Sequence, residues 1–205
     1  DIADDAINGD DTVSLGIAIA TGANTGIQTT NEDNVVDGNT ITVSDTGSIT
    51  TTGFFVHGIL NDGDDNETTV SGGITTEGDY AYGIINDGDD NETNVSGNIT
   101  TEGDTASGIV IIGSNNETNV SGDITTKNRQ GSGIINDGDD NETIVSGSIA
   151  TEGYYAFAIS NVGDDNETIF SGSITTKDNW SVGIYNAGVN NETIVSGSIT
   201  TKGDN

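Results

Sequence analysis

Across 205 residues, 34 acidic side chains stand against four basic ones, a formal net charge of −30, with no Cys, Pro or Met. That balance leaves no basic footprint for a nucleic acid and no sulfur for disulfide stapling. No run approaches the roughly 18 apolar residues that membrane insertion as a helix needs.

A hydrophobic share of 31% at this charge would suit a disordered chain. Only the placement of the apolar residues argues otherwise. The chain opens on Asp1, with neither an initiator Met nor a signal peptide. That opening reads as a mature or excised piece of something longer.

Residues 1–60 read as irregular coils. Asn8-Gly9-Asp10-Asp11-Thr12-Val13-Ser14 is a shortened turn followed by a strand. Asn39-Thr40-Ile41-Thr42-Val43-Ser44 is a second turn and strand, after which Asp45-Thr46 shift the spacing. Ile49-Thr50-Thr51 and Gly58-Ile59 continue columns that become regular later.

Residues 61–205 are six copies of one 25-residue unit with no insertion or deletion. The unit reads N-D-G-D-D-N-E-T-x-V-S-G-x-I-T-T-x-G-x-x-A-x-G-I-x. A fixed period of this length marks a solenoid, in which each copy buries its apolar side only by stacking on its neighbours. Val70, Gly72, Ile74 and Thr76 share one parity, which predicts a strand with these residues inward. Ala81 and Ile84 are three apart, which breaks the alternation and predicts a bulge or corner at Gly83. The N-D-G-D-D-N stretch is a dense turn signal. Three short strands and three corners in 25 residues make one turn of a parallel β-helix, with rungs ~4.8 Å apart. About eight coils are expected, a rod on the order of 40 Å long by that spacing.

The G-x-I-T-T-x-G-x-x-A-x-G-I pattern resembles the β-helix repeats in passenger domains of bacterial autotransporter adhesins and related surface proteins. The resemblance covers most of the chain and implies an extracellular, right-handed parallel β-helix. It carries over no functional residue. The Asn8–Thr12 stretch also resembles the calcium-binding nonapeptide repeats of secreted toxins, although the period here is 25 and not nine.

Identical residues should sit above one another in such a stack. Asn61, Asn86, Asn136, Asn161 and Asn186 then form an inward asparagine ladder, interrupted by Ile111. Asn66, Asn91, Asn116, Asn141, Asn166 and Asn191 each begin an N-E-T sequon. They are expected to face solvent and accept glycan, the alternative being a second inward ladder. Asn94, Asn98, Asn119 and Asn179 begin further sequons and are weaker glycosylation candidates.

The acidic corner sets Asp62, Asp64 and Asp65 below Asp87, Asp89 and Asp90, and repeats as Asp137, Asp139 and Asp140. Like charges ~5 Å apart repel by about 1 kcal/mol even at bulk-water screening. Oxygen-rich clusters suit Ca²⁺, yet the corner loses most of its acids at Ile112–Asn115 and Ala187–Asn190. Weakly held cations, loosely bound Ca²⁺ among them, are therefore expected rather than a site in every coil, and no other cofactor.

His57, Arg129, Lys127, Lys177 and Lys202 form no catalytic constellation, and no enzyme is expected. Variable aromatics, from Phe54 and Phe55 to Trp180 and Tyr185, gather in one part of the coil, as a carbohydrate-stacking strip or as a shield for that edge. The outward Thr75 column is broken by Ala150, which argues against an ice-binding array.

The chain stops in mid-coil after Ile199, and its opening resembles the missing half. The expected function is an extracellular, fibre-forming structural subunit, glycosylated, whose partners are copies of itself end to end. The alternative is an adhesin fragment that binds surface glycans or host ligands. A polysaccharide-processing enzyme comes third.

Overall fold

The structure is a computed structural model that describes residues 12–21, 26–28 and 37–203. The described residues form an all-β parallel solenoid with about six turns of about 25 residues and no helix. Three irregular strands come first: β1 (Thr12–Thr21), β2 (Ile27–Gln28) and β3 (Thr40–Thr52). The first regular turn adds β4 (Ile59–Asp62), β5 (Glu67–Val70) and β6 (Gly73–Thr76). Later turns repeat this triplet, ending with Val182–Ala187, Glu192–Val195 and Ser198–Thr201.

The expectation of about eight coils is corrected to about six regular turns. In the first sixty residues the strands stack at unequal intervals. Thr12 pairs with Thr40, Ile17 with Ser48 and Ile27 with Ile59, and the register shifts between Leu15 and Ile17. From Ile59 onward each residue's partner in the following rung lies 25 residues on, as in the pairs Ile59–Ile84 and Ile109–Ile134, while β5 looks back to β3 across 27. The expected turn at Asn8–Asp11 lies outside the described residues. So do the opening Asp1–Asp11 and the closing Asp204-Asn205.

Each turn has three faces. The E-T-x-V strands and the x-I-T-T strands form two faces of one 14-stranded sheet, and β3 runs through both. The G-I-x-N-D strands form a separate 7-stranded sheet. Alternation decides what lies inside. In β5 and β6 the buried residues are Thr68, Val70, Ile74 and Thr76, all of one parity. The irregularity expected at Gly83 is a corner, with turn residues at Asp79-Tyr80 and a bend at Gly83 before the next strand.

Glycine is obligatory where rungs touch backbone to backbone. Gly97 folds the first face into the second, and a Cβ there would lie 1.8 Å from the Gly72 carbonyl oxygen. Gly88, at φ 151° in the acidic corner, would place one 2.2 Å from the Gly63 carbonyl.

The core is a stack of single-residue columns. Val70, Val95, Val120, Val145 and Phe170 form one, Ile74 to Ile174 a second, and Ile59 to Ile159 a third. Among the described residues 27 apolar side chains are buried beside 24 polar ones. Hydrogen-bond satisfaction is therefore a condition of stability throughout the interior.

Replacing Ile124 with Asp puts an unpaired charge between Ile99 and Ile149, its neighbours in the column. A loss of at least about 3 kcal/mol is expected, measured by denaturant unfolding followed by far-UV circular dichroism.

Candidate functional site

Two asparagine columns line the interior. In the first, Asn61 Nδ2 donates to Asn86 Oδ1 at 2.8 Å, and Asn136 to Asn161 and Asn161 to Asn186 at 2.7 Å. The same amides also donate to threonine hydroxyls across the core, Asn136 to Thr143 and Asn161 to Thr168 at 3.0 Å. Ile111 interrupts this ladder between Asn86 and Asn136. The consequence is local: Asn136 Oδ1, which would accept from residue 111, is buried without a partner.

The second column is that of the N-E-T sequons, and here the sequence expectation is overturned. Asn66, Asn91, Asn116, Asn141 and Asn166 are each 1% exposed, and Asn191 in the last rung is half-buried. Each Oδ1 accepts the backbone N–H of the asparagine one rung earlier, as in Asn66 N–H to Asn91 at 2.8 Å and Asn116 N–H to Asn141 at 2.9 Å. From Asn116 onward each Nδ2 donates back to a corner glycine carbonyl, Asn141 to Gly113 at 2.9 Å. A glycan on Nδ2 would take one of its two hydrogens and could not fit between rungs. These six asparagines are structural.

The other sequons differ. Asn94 and Asn119 are half-buried on the outer side and donate to Glu92 and Glu117 in their own strands, at 2.6 and 2.7 Å. They line a shallow groove with Ser96 and Ser121. Asn98 is exposed, and its Oδ1 accepts the Asp123 N–H at 3.0 Å. Asn179 is half-buried.

The acidic corner also has a structural task that its composition did not announce. Asp64 Oδ1 accepts the Asp89 N–H at 2.8 Å, Asp89 the Ser114 N–H at 2.7 Å, and Asp139 the Asp164 N–H at 2.7 Å. Asp65, Asp90 and Asp140 hold φ near 57°, a left-handed conformation that Asp tolerates better than most residues. Burial, and after it the Asp87 carboxylate one rung on, hold the Asp62 carboxyl above its ordinary value. Asp87 and Asp137 are exposed at the same position. Among the described residues no three carboxylates or imidazoles converge to hold a metal ion.

The opposite corner carries the aromatics. Its left-handed position is filled by Phe55, Tyr80, Thr105, Gln130, Tyr155 and Trp180, at φ between 56° and 60°. Phe55 stacks on Tyr80 at 5.0 Å and Tyr155 on Trp180 at 5.9 Å. Beside this corner His57 stacks on Tyr82 at 5.2 Å, and its Nδ1 accepts the Tyr82 N–H at 3.1 Å. Burial holds the His57 imidazole down at about 4. Lys127 pairs with Glu102, and Lys177 with Glu152, each across one rung on an exposed edge.

Comparison with protein-family models, with curated proteins and with solved structures finds no match to this chain.

Ile111→Asn should rejoin the two halves of the first ladder and satisfy Asn136. Its cost is expected to stay within about 1 kcal/mol, against about 3 kcal/mol or more for Ile109→Asn two residues away. Chemical denaturation of the two variants makes the comparison.

The neutral imidazole of His57 is built into its corner. Between pH about 6.5, the unfolded value, and about 4, the unfolded chain takes up a proton that the folded chain refuses. Stability is therefore lost as pH falls through that window. His57→Gln keeps an acceptor and lacks the proton, so the wild type should lose ground against this variant from pH 7 to pH 4.5. Parallel thermal melts give the difference, in which the carboxylates common to both proteins cancel.

Proposed function

We propose that the chain is an extracellular structural protein, a rod that assembles end to end and displays a repeating acidic surface. The observation that carries this reading is the stack itself. From Ile59 to Thr201 each rung pairs with the next in parallel and in register, 25 residues on. The surface one rung offers the next is the same at every step, so rungs of two chains fit together as rungs of one chain do. A contact made this way is head to tail and propagates without closing.

The resemblance to autotransporter adhesin repeats supports a cell-surface setting, and passenger-type adhesion is the second reading, favoured by the exposed aromatics. The net charge opposes assembly until it is screened. Cations held loosely along the acidic corner, Ca²⁺ among them, would serve that screening without ordered sites. Any covalent glycan would sit at the outward sequons Asn94, Asn98, Asn119 or Asn179, which peptide mapping of native material would reveal.

Sedimentation velocity and negative-stain microscopy test the reading. Raising NaCl from 20 to 200 mM should lengthen the particles, and Ile199→Asp should hold them at one subunit. A chain that stays monomeric at high concentration and high salt would refute end-to-end assembly.

A further inference from the structure

The aromatic corner is built twice. Phe54 stands edge-on to Phe55, at 4.6 Å and 88°, while Phe55 stacks on Tyr80 from the next rung. Tyr154 stands edge-on to Tyr155, at 4.5 Å and 86°, while Tyr155 stacks on Trp180. Each member of the second group lies 100 residues after its counterpart, four rungs on, or about 19 Å along the rod. Asp79 and Asn179 sit at one shared position, each immediately before the second ring of its pair. The two rungs between the groups carry Thr105 and Gln130 in the ring position. Arg129 adds a guanidinium 6.0 Å from the Tyr154 ring, a feature the first group lacks.

Backbone preference does not explain these rings. The acidic corner fills its left-handed position with Asp or Asn, which tolerate it, and the aromatic corner fills the same kind of position with Phe, Tyr and Trp, which do not. The rings are not core either: Phe54 is 63% exposed and Trp180 53%. Exposed aromatic groups held in a strained conformation mark a contact surface.

We propose that the two aromatic groups are paired platforms for one neutral, linear polysaccharide. Sugar rings lay their C–H faces on aromatic rings, and carboxylate and amide groups such as those of Asp79 and Asn179 accept from or donate to hydroxyls. Charge selects against the other occupants. A chain of net charge −30 repels anionic polymers and a second copy packed side by side. Two groups separated by two non-aromatic rungs also lack the continuity of a stable protein interface, which uses ~800 Å² per partner. Each platform alone binds weakly. A polymer long enough to reach both gains by avidity, and a short oligosaccharide does not.

Trp180 is the only tryptophan, so its emission reports on the second platform directly. The test is affinity electrophoresis of the 205-residue chain through gels containing hydroxyethylcellulose, xylan, galactomannan or alginate, with tryptophan emission titrated in parallel. Retardation by at least one neutral polymer, a matching emission change and none with alginate are expected. The double variant Phe55→Asn/Tyr80→Asn should bind that polymer at least tenfold more weakly, while the Trp180 response to a disaccharide of the same sugar is unchanged. Its melting temperature should equal or exceed that of the parent, because Asn suits the left-handed position. The proposal is overturned if no neutral polymer retards the chain, if alginate binds as well, or if removing one platform leaves polymer affinity unaltered. It is also overturned if the Asn variant melts lower, which would make the rings structural. Emission that tracks protein concentration without polymer would assign the corner to a second copy instead. All readings are made at 20 mM salt on single rods, so failed assembly and failed binding remain distinguishable.

Discussion

The N-D-G-D-D-N corner turns backbone N–H groups toward the neighbouring rung, and their pairing with a side-chain oxygen there is the interaction on which the rest of the structure depends. The N–H of Asn66 donates forward to Asn91, and the N–H of Asp89 donates backward to Asp64. Buried threonines close part of what remains, as Thr76 does by donating to the Ala81 carbonyl at 2.6 Å. A buried backbone group left unpaired costs more than the bond itself contributes. The ladders therefore disfavour insertions inside a rung. An extra residue there would carry the Asn, Asp or Thr beside it out of line with the adjoining rungs unless the strand absorbed it, as β3 does where Asn39 still donates to Asn66 at 2.8 Å across 27 residues. The strict 25-residue spacing from Asn61 onward is what such a set of bonds requires.

Much of this was legible in the sequence. The period and the alternation of Val70, Ile74 and Thr76 were enough to predict parallel strands, three to a turn. The first asparagine column and its break at Ile111 could be read from position alone. The orientation of Asn66 could have been read as well. It has the parity of Thr68, Val70 and Ile74, and carrying the alternation back across the start of β5 turns it inward. The sequon motif pointed the other way because it describes a modification signal and not a backbone. The aspartate ladder was less accessible. A run such as Asp62, Asp64 and Asp65 reads as solvated charge, and only the inter-rung geometry reveals which carboxylate faces a donor. The coil count failed for a related reason: residues 1–60 keep the strand types and lose the spacing.

The ladders also make sense of a charge that would otherwise argue against folding. Parallel in-register stacking places Glu67, Glu92, Glu117, Glu142, Glu167 and Glu192 directly above one another. Repulsion along this column is moderated by solvent, and by the Asn94 and Asn119 amides that donate to Glu92 and Glu117. On the neighbouring edge Lys127 and Lys177 interleave with Glu102 and Glu152. In the acidic corner each aspartate that accepts a backbone N–H gains a charge-assisted bond, stronger than a neutral one. The acids are thus divided between those that hold rungs together and those that are only carried on the surface. The second group sets the sign of the field that any partner meets.

In a chain copied from one unit, departures from the unit carry the most information. The aromatic corner shows why. Six residues of types as different as Phe, Thr, Gln and Trp hold φ within a few degrees of one another. Their own preferences cannot produce that agreement. The neighbouring rungs impose it, through bonds such as Tyr80 N–H to Asp104 carbonyl at 2.9 Å, Thr105 to Arg129 at 2.7 Å and Gln130 to Tyr154 at 2.9 Å. Once the backbone is held from above and below, the side chain at that position is released from any part in shaping it. The inward columns have no such freedom, since each of their side chains is also a partner for the next. Variation gathers on the outer side of this corner because the stack tolerates it there, and a surface that differs from rung to rung is what recognition of one partner over another needs.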